Sequence, residues 1–167
     1  MANKIKEFDQ LMDDMLSVAE HLDNHSVAYG FPTRKQSVND PKLTVAQVAY
    51  FAESGAKDEK GQWVRQPRKF LTYAEMLAED KGVEHLALMT DAFMSGSLYK
   101  TKRGLKIIAE DLGDTVREAI LADVYAPLKA STVARKGSSD ILIETGDMYD
   151  SAEGKVVQDK SLKTGGD

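Results

Sequence analysis

Apolar residues recur at three- and four-residue intervals in two parts of this chain. Within residues 3–22 they are Ile5, Phe8, Leu11, Met12, Met15, Leu16, Ala19 and Leu22. Further along, the same spacing joins Leu105, Ile108, Leu112, Val116, Ala119 and Ile120. Such spacing gathers apolar side chains on one stripe of an α-helix, with charged residues mostly on the opposite side. The sequence therefore predicts two long amphipathic helices.

Shorter patterns between these helices predict further elements. Val27 and Tyr29 alternate with small residues in a predicted strand over 25–31. Thr44 and Gln47 have the spacing of a capping box, which predicts a helix that Gly55 ends. Residues 57–66 are charged and predict a hairpin tip or insertion before a strand over 67–71.

The remaining elements follow from caps and breaks. Thr72 and Glu75 repeat the capping-box spacing and predict a helix that breaks at residues 81–82 and resumes up to Met94. Thr145 is predicted to cap a short helix over 148–152, and a strand over 155–158 follows. The polar residues 159–167 predict a disordered tail.

Strands are spread through the chain instead of alternating regularly with helices, which argues against a doubly wound parallel sheet. We predict an α+β fold, with a small, mostly antiparallel sheet of about four strands and two long helices packed on one face. A length of 167 residues suits one domain, predicted over 1–158 and followed by the tail.

Composition excludes several classes of protein. The absence of cysteine excludes disulfides, thiolate chemistry and cysteine-based zinc sites, and it fits assembly in a reducing cytoplasm. No apolar run approaches the about 18 residues that span a bilayer, and no signal-peptide core is recognisable at the start. We therefore expect no membrane partner.

Charge leaves two interpretations open for the basic clusters. A net charge of −5 argues against a dedicated nucleic-acid-binding module. Basic residues nevertheless gather at 99–106 and around Trp63, where Arg65, Arg68 and Lys69 lie nearby in sequence. They can bind phosphates, as in a small nucleic-acid-binding regulator, or complement an acidic surface of a protein partner.

No arrangement of residues predicts catalysis. Asp147 and three neighbouring acidic residues match no known cation loop, so we expect Asp147 to favour the first turn of the short helix. A hydrolase that uses these carboxylates is the weaker alternative. His21, His25 and His85 lack partners placed for a metal site or a catalytic triad. We predict no enzyme activity, no metal and no cofactor.

Two blocks of sequence resemble a known family. The first, PLKASTVARKGSSDILIETGDMYDS at 127–151, has the order Pro-Leu, Ser-Thr, Arg-Lys-Gly, Leu-Ile-x-Thr-Gly and Ser before a strand. The second reads VAYFAESG at 48–55 and PRKFL at 67–71, where Ser54 and Lys69 depart from the usual pattern. The chain resembles the tail-completion and tail-component proteins of long-tailed bacteriophages.

This resemblance implies a structural virion protein that completes the tail end and joins the tail to the head. It implies a homomeric ring, sixfold, around the channel that the genome DNA crosses, with neighbouring neck and tail proteins as partners. Tail terminators and head–tail connectors share this ring geometry and remain alternatives. The protein is then expected in the neck of the virion. We predict that eight residues contact partners: Trp63, Arg65, Arg68, Phe70, Thr145, Gly146, Tyr149 and Ser151.

Overall fold

A computed structural model describes residues 2–122, 124–125, 133–134, 142 and 146–159. Its helices are α1 (Ala2–Asp23), α2 (Val45–Ser54), α3 (Phe70–Asp80), α4 (Gly82–Met94), α5 (Leu98–Leu121) and α6 (Asp147–Ser151). Its strands are β1 (His25–Gly30), β2 (Ala56–Lys57), β3 (Trp63–Arg65) and β4 (Glu153–Gln158). The fold is α+β, as the sequence predicts.

Helix α5 is the central element of the fold. It contacts α1, α3 and α4, and it also supports the pair of strands β1 and β4. These two strands are antiparallel and pair from His25 opposite Gln158 to Gly30 opposite Glu153. The early and late parts of the chain are therefore joined on one side of α5.

The core lies where α2, α3, α5 and α6 meet. Its buried residues include Val45, Phe70, Val116 and Met148. The predicted capping box of α2 is confirmed, because the Gln47 N–H donates to the Thr44 side chain and the Gln47 side chain accepts from the Thr44 N–H. The predicted break between α3 and α4 also lies at Lys81.

The prediction of one sheet with about four strands is wrong. The described strands form two separate antiparallel pairs, β1 with β4 and β2 with β3. Every residue of β2 and β3 is exposed, so this hairpin has no buried face with which to join a larger sheet.

The predicted strand over 67–71 is also wrong, because Phe70 is the first residue of α3. The Leu71 N–H donates to Glu53 Oε2 at 2.8 Å, and the Thr72 hydroxyl donates to Glu53 Oε1 at 2.9 Å. Glu53 belongs to α2, so it satisfies the first turn of α3 from outside that helix. The predicted capping box of Thr72 and Glu75 is therefore not the start of α3.

Replacing Glu53 with alanine is expected to lower the free energy of unfolding by about 1–2 kcal/mol, because two donors at the start of α3 lose their acceptor. Urea unfolding followed by circular dichroism measures the loss. Glu118→Ala is the matched control, since Glu118 is exposed on α5 and should change stability by less than about 0.5 kcal/mol. Equal stability of the two variants would contradict this role of Glu53.

Helix α5 begins at Leu98, earlier than the predicted Leu105. Ser97 caps it by accepting from the Lys100 N–H at 3.2 Å. The buried Thr101 hydroxyl donates to the Ser97 carbonyl at 3.0 Å, so a polar residue extends the buried face of the helix. The basic residues of 99–106 consequently lie on a helix.

The short helix α6 is present, but its N-cap is Gly146, which has a φ of 79° and makes no side-chain cap. Thr145, the predicted cap, lies outside the described residues, as do Pro127, the basic turn at 135–137 and the end of the predicted tail at 160–167. Asp159, assigned to that tail, donates its N–H to the Asn24 carbonyl at 2.9 Å.

Candidate interaction surface

The hairpin formed by β2 and β3 directly follows α2. Gly55 has a φ of 68°, and a Cβ there would lie 2.7 Å from the Arg65 carbonyl oxygen and 2.7 Å from the Pro67 nitrogen. Glycine therefore allows the second strand to pass close to the end of α2. At the tip, Asp58 Oδ1 accepts from the Lys60 and Gln62 N–H groups, each at 2.9 Å. The tip is thus ordered by its own hydrogen bonds.

The hairpin exposes an aromatic and an apolar side chain side by side in sequence. Trp63 is 40% exposed and Val64 is 61% exposed. The Lys57 ammonium lies over the Trp63 ring, 4.5 Å from its centre. This cation–π contact holds the indole in place at the surface, where a partner can cover it.

Two arginines adjoin this surface. Arg68 is half-buried, and its Nε is buried without a hydrogen-bond partner among the described residues. Burial, together with the nearby Arg65 charge, lowers the pKa of Arg68. In the described part of the chain neither guanidinium has a carboxylate within 4.0 Å. A carboxylate or phosphate of another molecule could bind the guanidinium groups of Arg65 and Arg68.

Two predicted contact residues are buried within the chain. Phe70 is 0% exposed and belongs to the core, and Ser151 is 6% exposed. In this fold they can support a surface from beneath but cannot meet a partner directly. The burial of Phe70 was not predicted, because residues 67–71 were expected to form a strand that contacts partners, whereas Phe70 begins α3.

The predicted contact residues of α6 lie apart from the hairpin in the chain, where α6 packs against α2 and α5. Gly146 and Tyr149 are both half-buried, and Tyr149 packs on the core. Asp147 Oδ2 accepts from the Val38 N–H at 2.6 Å, which ties α6 to the loop before α2. Thr145 lies outside the described residues. A role for Gly146 and Tyr149 in an interface stays a prediction.

The basic stretch of α5 is partly neutralised by its neighbours. Lys100 Nζ lies 2.9 Å from Asp91 Oδ2, and Lys106 Nζ lies 3.6 Å from Glu110 Oε1. Charges that are paired within the chain release fewer counterions when a phosphate binds. This pairing weakens the case for a nucleic-acid site on α5.

A cleft lies where β4 crosses α5, and its acidic residues are paired with cations. Asp114 Oδ1 is 2.6 Å from Arg117, while the Glu153 carboxylate is 2.9 Å from Lys155 Nζ. Each of these carboxylates therefore already has a cation of the same chain beside it. Within the described ranges, no group of three or more His, Cys, Asp or Glu could hold a metal ion.

The histidines make local contacts. His25 Nδ1 lies 2.8 Å from the His21 carbonyl oxygen, and the two rings stack with centres 3.9 Å apart. Burial first, then His25 and Lys102, lowers the pKa of His21. His85 Nε2 lies 3.2 Å from Asp111 Oδ2 and so links α4 to α5.

Sequence reasoning missed the exposure of the first half of α1. The helix forms as predicted, yet all residues from Lys4 to Asp13 are exposed. Periodicity identifies which side of a helix is apolar but not what covers that side.

Comparison with protein-family models, with curated proteins and with solved structures finds no match to this chain. Across the described helices, none is both long enough and apolar enough to cross a membrane.

Proposed function

We propose that this chain is a structural virion protein that completes the phage tail end and joins the tail to the head. Copies of it form a homomeric ring, sixfold, in the neck of the virion, in contact with neighbouring neck and tail proteins. The genome DNA crosses the ring without specific binding. Tail terminator and head–tail connector are alternative roles with the same ring geometry.

The exposed hairpin β2–β3 is the observation that carries this proposal. It presents Trp63 and Val64 to solvent beside two arginines that have no anion in the described part of the chain. Exposed aromatic residues and arginines are the side chains that contribute most to protein interfaces. Of the two blocks of sequence that resemble tail-completion proteins, the one at 48–55 and 67–71 borders this hairpin on both sides, and the one at 127–151 follows it in the chain.

A small nucleic-acid-binding regulator is the second candidate, since Arg65 and Arg68 could also bind phosphate. Lys100 and Lys106 of the basic α5 stretch are paired with carboxylates, and the chain is acidic overall. These features favour a protein partner. Salt-dependent retention of duplex DNA by the isolated chain would favour the regulator instead.

In-vitro joining tests the proposal. Extracts of cells infected with a virus that lacks this gene should contain separate heads and tails, and adding the purified protein should join them into infectious particles. Failure of the purified, folded protein to join heads and tails would contradict the proposal.

Trp63→Ala is expected to reduce joining by about tenfold or more, because a central interface tryptophan commonly contributes at least 2 kcal/mol. Counting infectious particles after addition of each variant measures this effect. Tyr99→Ala is the matched control, since Tyr99 is also an exposed aromatic residue but lies on α5. Equal joining by the Trp63→Ala and Tyr99→Ala variants would show that the hairpin is not part of the interface.

A further inference from the structure

The first half of α1 is a helical arm whose residues from Lys4 to Asp13 are all exposed. The arm meets the body of the protein at its inner end, where Leu11 and Asp14 lie beside Gly96. Ile5 and Phe8 are each 61% exposed. A short helical segment is only marginally stable in water when nothing covers its apolar side. This arm is therefore suited to docking on a partner.

The part of the arm next to the body is acidic as well as apolar. Lys4 and Lys6 lie at its tip, and from there to Asp14 the chain has no lysine or arginine but has the carboxylates Glu7, Asp9, Asp13 and Asp14. None of them takes part in an ion pair within the described part of the chain. A partner of the arm must therefore offer positive charges beside an apolar surface.

The hairpin and its flank offer this combination. Residues 56–69 hold five basic side chains and two carboxylates, a net charge of +3. Among the basic ones, only Lys69 has a carboxylate of the described residues nearby, Glu53 at 3.9 Å. Trp63 and Val64 supply exposed apolar area on the same segment.

The two surfaces do not cover each other within one molecule. Helix α1 packs alongside α4, α5 and β1, whereas all residues of β2 and β3 remain exposed. Two α1 arms placed side by side in parallel would bring carboxylates against carboxylates, which is unfavourable. Contact between unlike surfaces of two copies brings opposite charges together.

We propose that the acidic α1 arm of one copy docks on the basic hairpin surface of the next copy. This inference rests on the proposed ring, and it names the two surfaces that join its subunits. Each copy then docks its arm on the next copy and binds the arm of the previous copy with its hairpin. A closed ring requires this head-to-tail arrangement. Trp63 is covered by the apolar side of the arm, while Arg65 faces its carboxylates.

Charge reversal tests the contact with the full-length protein. The arm variant carries Asp9→Lys and Asp13→Lys, and the hairpin variant carries Lys60→Glu and Arg65→Glu. All four side chains are exposed, so both variants should fold. Glu84→Lys with Glu118→Lys is the matched control, because it changes the net charge as the arm variant does. Analytical ultracentrifugation over a range of concentrations measures self-association.

We expect each charge-reversed variant to associate only at a protein concentration about tenfold or more above that of wild type. Mixing the two variants, or combining all four substitutions in one chain, should restore association, and the control should behave as wild type. Raising the salt concentration should weaken the wild-type association.

Three results would overturn the inference. Loss of association in the arm variant but not in the hairpin variant would indicate contact between two arms. Unaffected association in both variants would indicate that other surfaces join the copies. A wild type that stays monomeric at every concentration would exclude the contact. None of these results decides the proposed function, which the joining of heads to tails tests separately.

Discussion

Gly154→Ala is expected to destabilise the protein by about 3 kcal/mol or more, a large part of the 5–15 kcal/mol that stabilises a typical domain. Strand β4 packs against α5 at this residue, and an alanine Cβ would overlap the Ala109 carbonyl oxygen. That oxygen belongs to the helix backbone and cannot move aside. Gly113 makes the reciprocal contact, because a Cβ there would lie 2.6 Å from the Gly154 nitrogen. The β1–β4 pair would have to leave α5.

Thermal and urea unfolding of Gly154→Ala measure this effect. Gly82→Ala is the matched control, because Gly82 begins α4 and an alanine Cβ there would have no atom within 4 Å apart from its chain neighbours and its own helix backbone. Alanine is a better helix former than glycine, so the control should keep or raise stability by up to about 1 kcal/mol. Wild-type stability in Gly154→Ala would contradict the close packing of β4 on α5.

Phe70→Ala is expected to lower the free energy of unfolding by about 3–5 kcal/mol. Phe70 is 0% exposed and meets Phe31 edge to face, with ring centres 6.2 Å apart. Truncating it would leave a cavity between α3 and the rest of the core. The sequence placed this residue in an interface, so the measurement separates a core residue from a contact residue.

Urea unfolding at a concentration where the protein is monomeric gives the free energy for Phe70→Ala. Trp63→Ala serves as the control, because Trp63 is exposed on the hairpin and its loss should cost less than about 1 kcal/mol. A monomer that is barely affected by Phe70→Ala, with weaker association between copies, would instead support the contact role.

Local signals predicted the elements whose ends are set by nearby residues. Helix α1 follows from its apolar stripe, and α2 follows from the capping box of Thr44 and from Gly55. Strand β1 follows from its alternating residues. In each case the residues that determine the element lie within a few positions of one another, so a single sequence contains them.

Long-range contacts explain where the predictions were wrong. The start of α3 depends on Glu53 of α2, a residue far from Leu71 in sequence. The number of paired strands depends on which strands have a face to bury, and the hairpin has none. Neither fact is encoded in local spacing.

The predicted contact residues differ in their exposure. Trp63 and Arg65 are exposed, whereas Phe70 and Ser151 are buried, and contact of Trp63 or Arg65 with a partner stays a prediction. The α1 arm was missed because an apolar stripe indicates burial without saying whether the covering surface belongs to the same molecule. A homomeric interface and a core can produce the same pattern in one sequence.

Electron microscopy of purified particles with a labelled antibody against this chain tests the central claim most directly. The proposed role predicts label at the junction between head and tail, in a position that matches a single ring. Label on the head shell, along the tail or at the tail tip would contradict that role, and so would intact, joined particles that contain none of this chain.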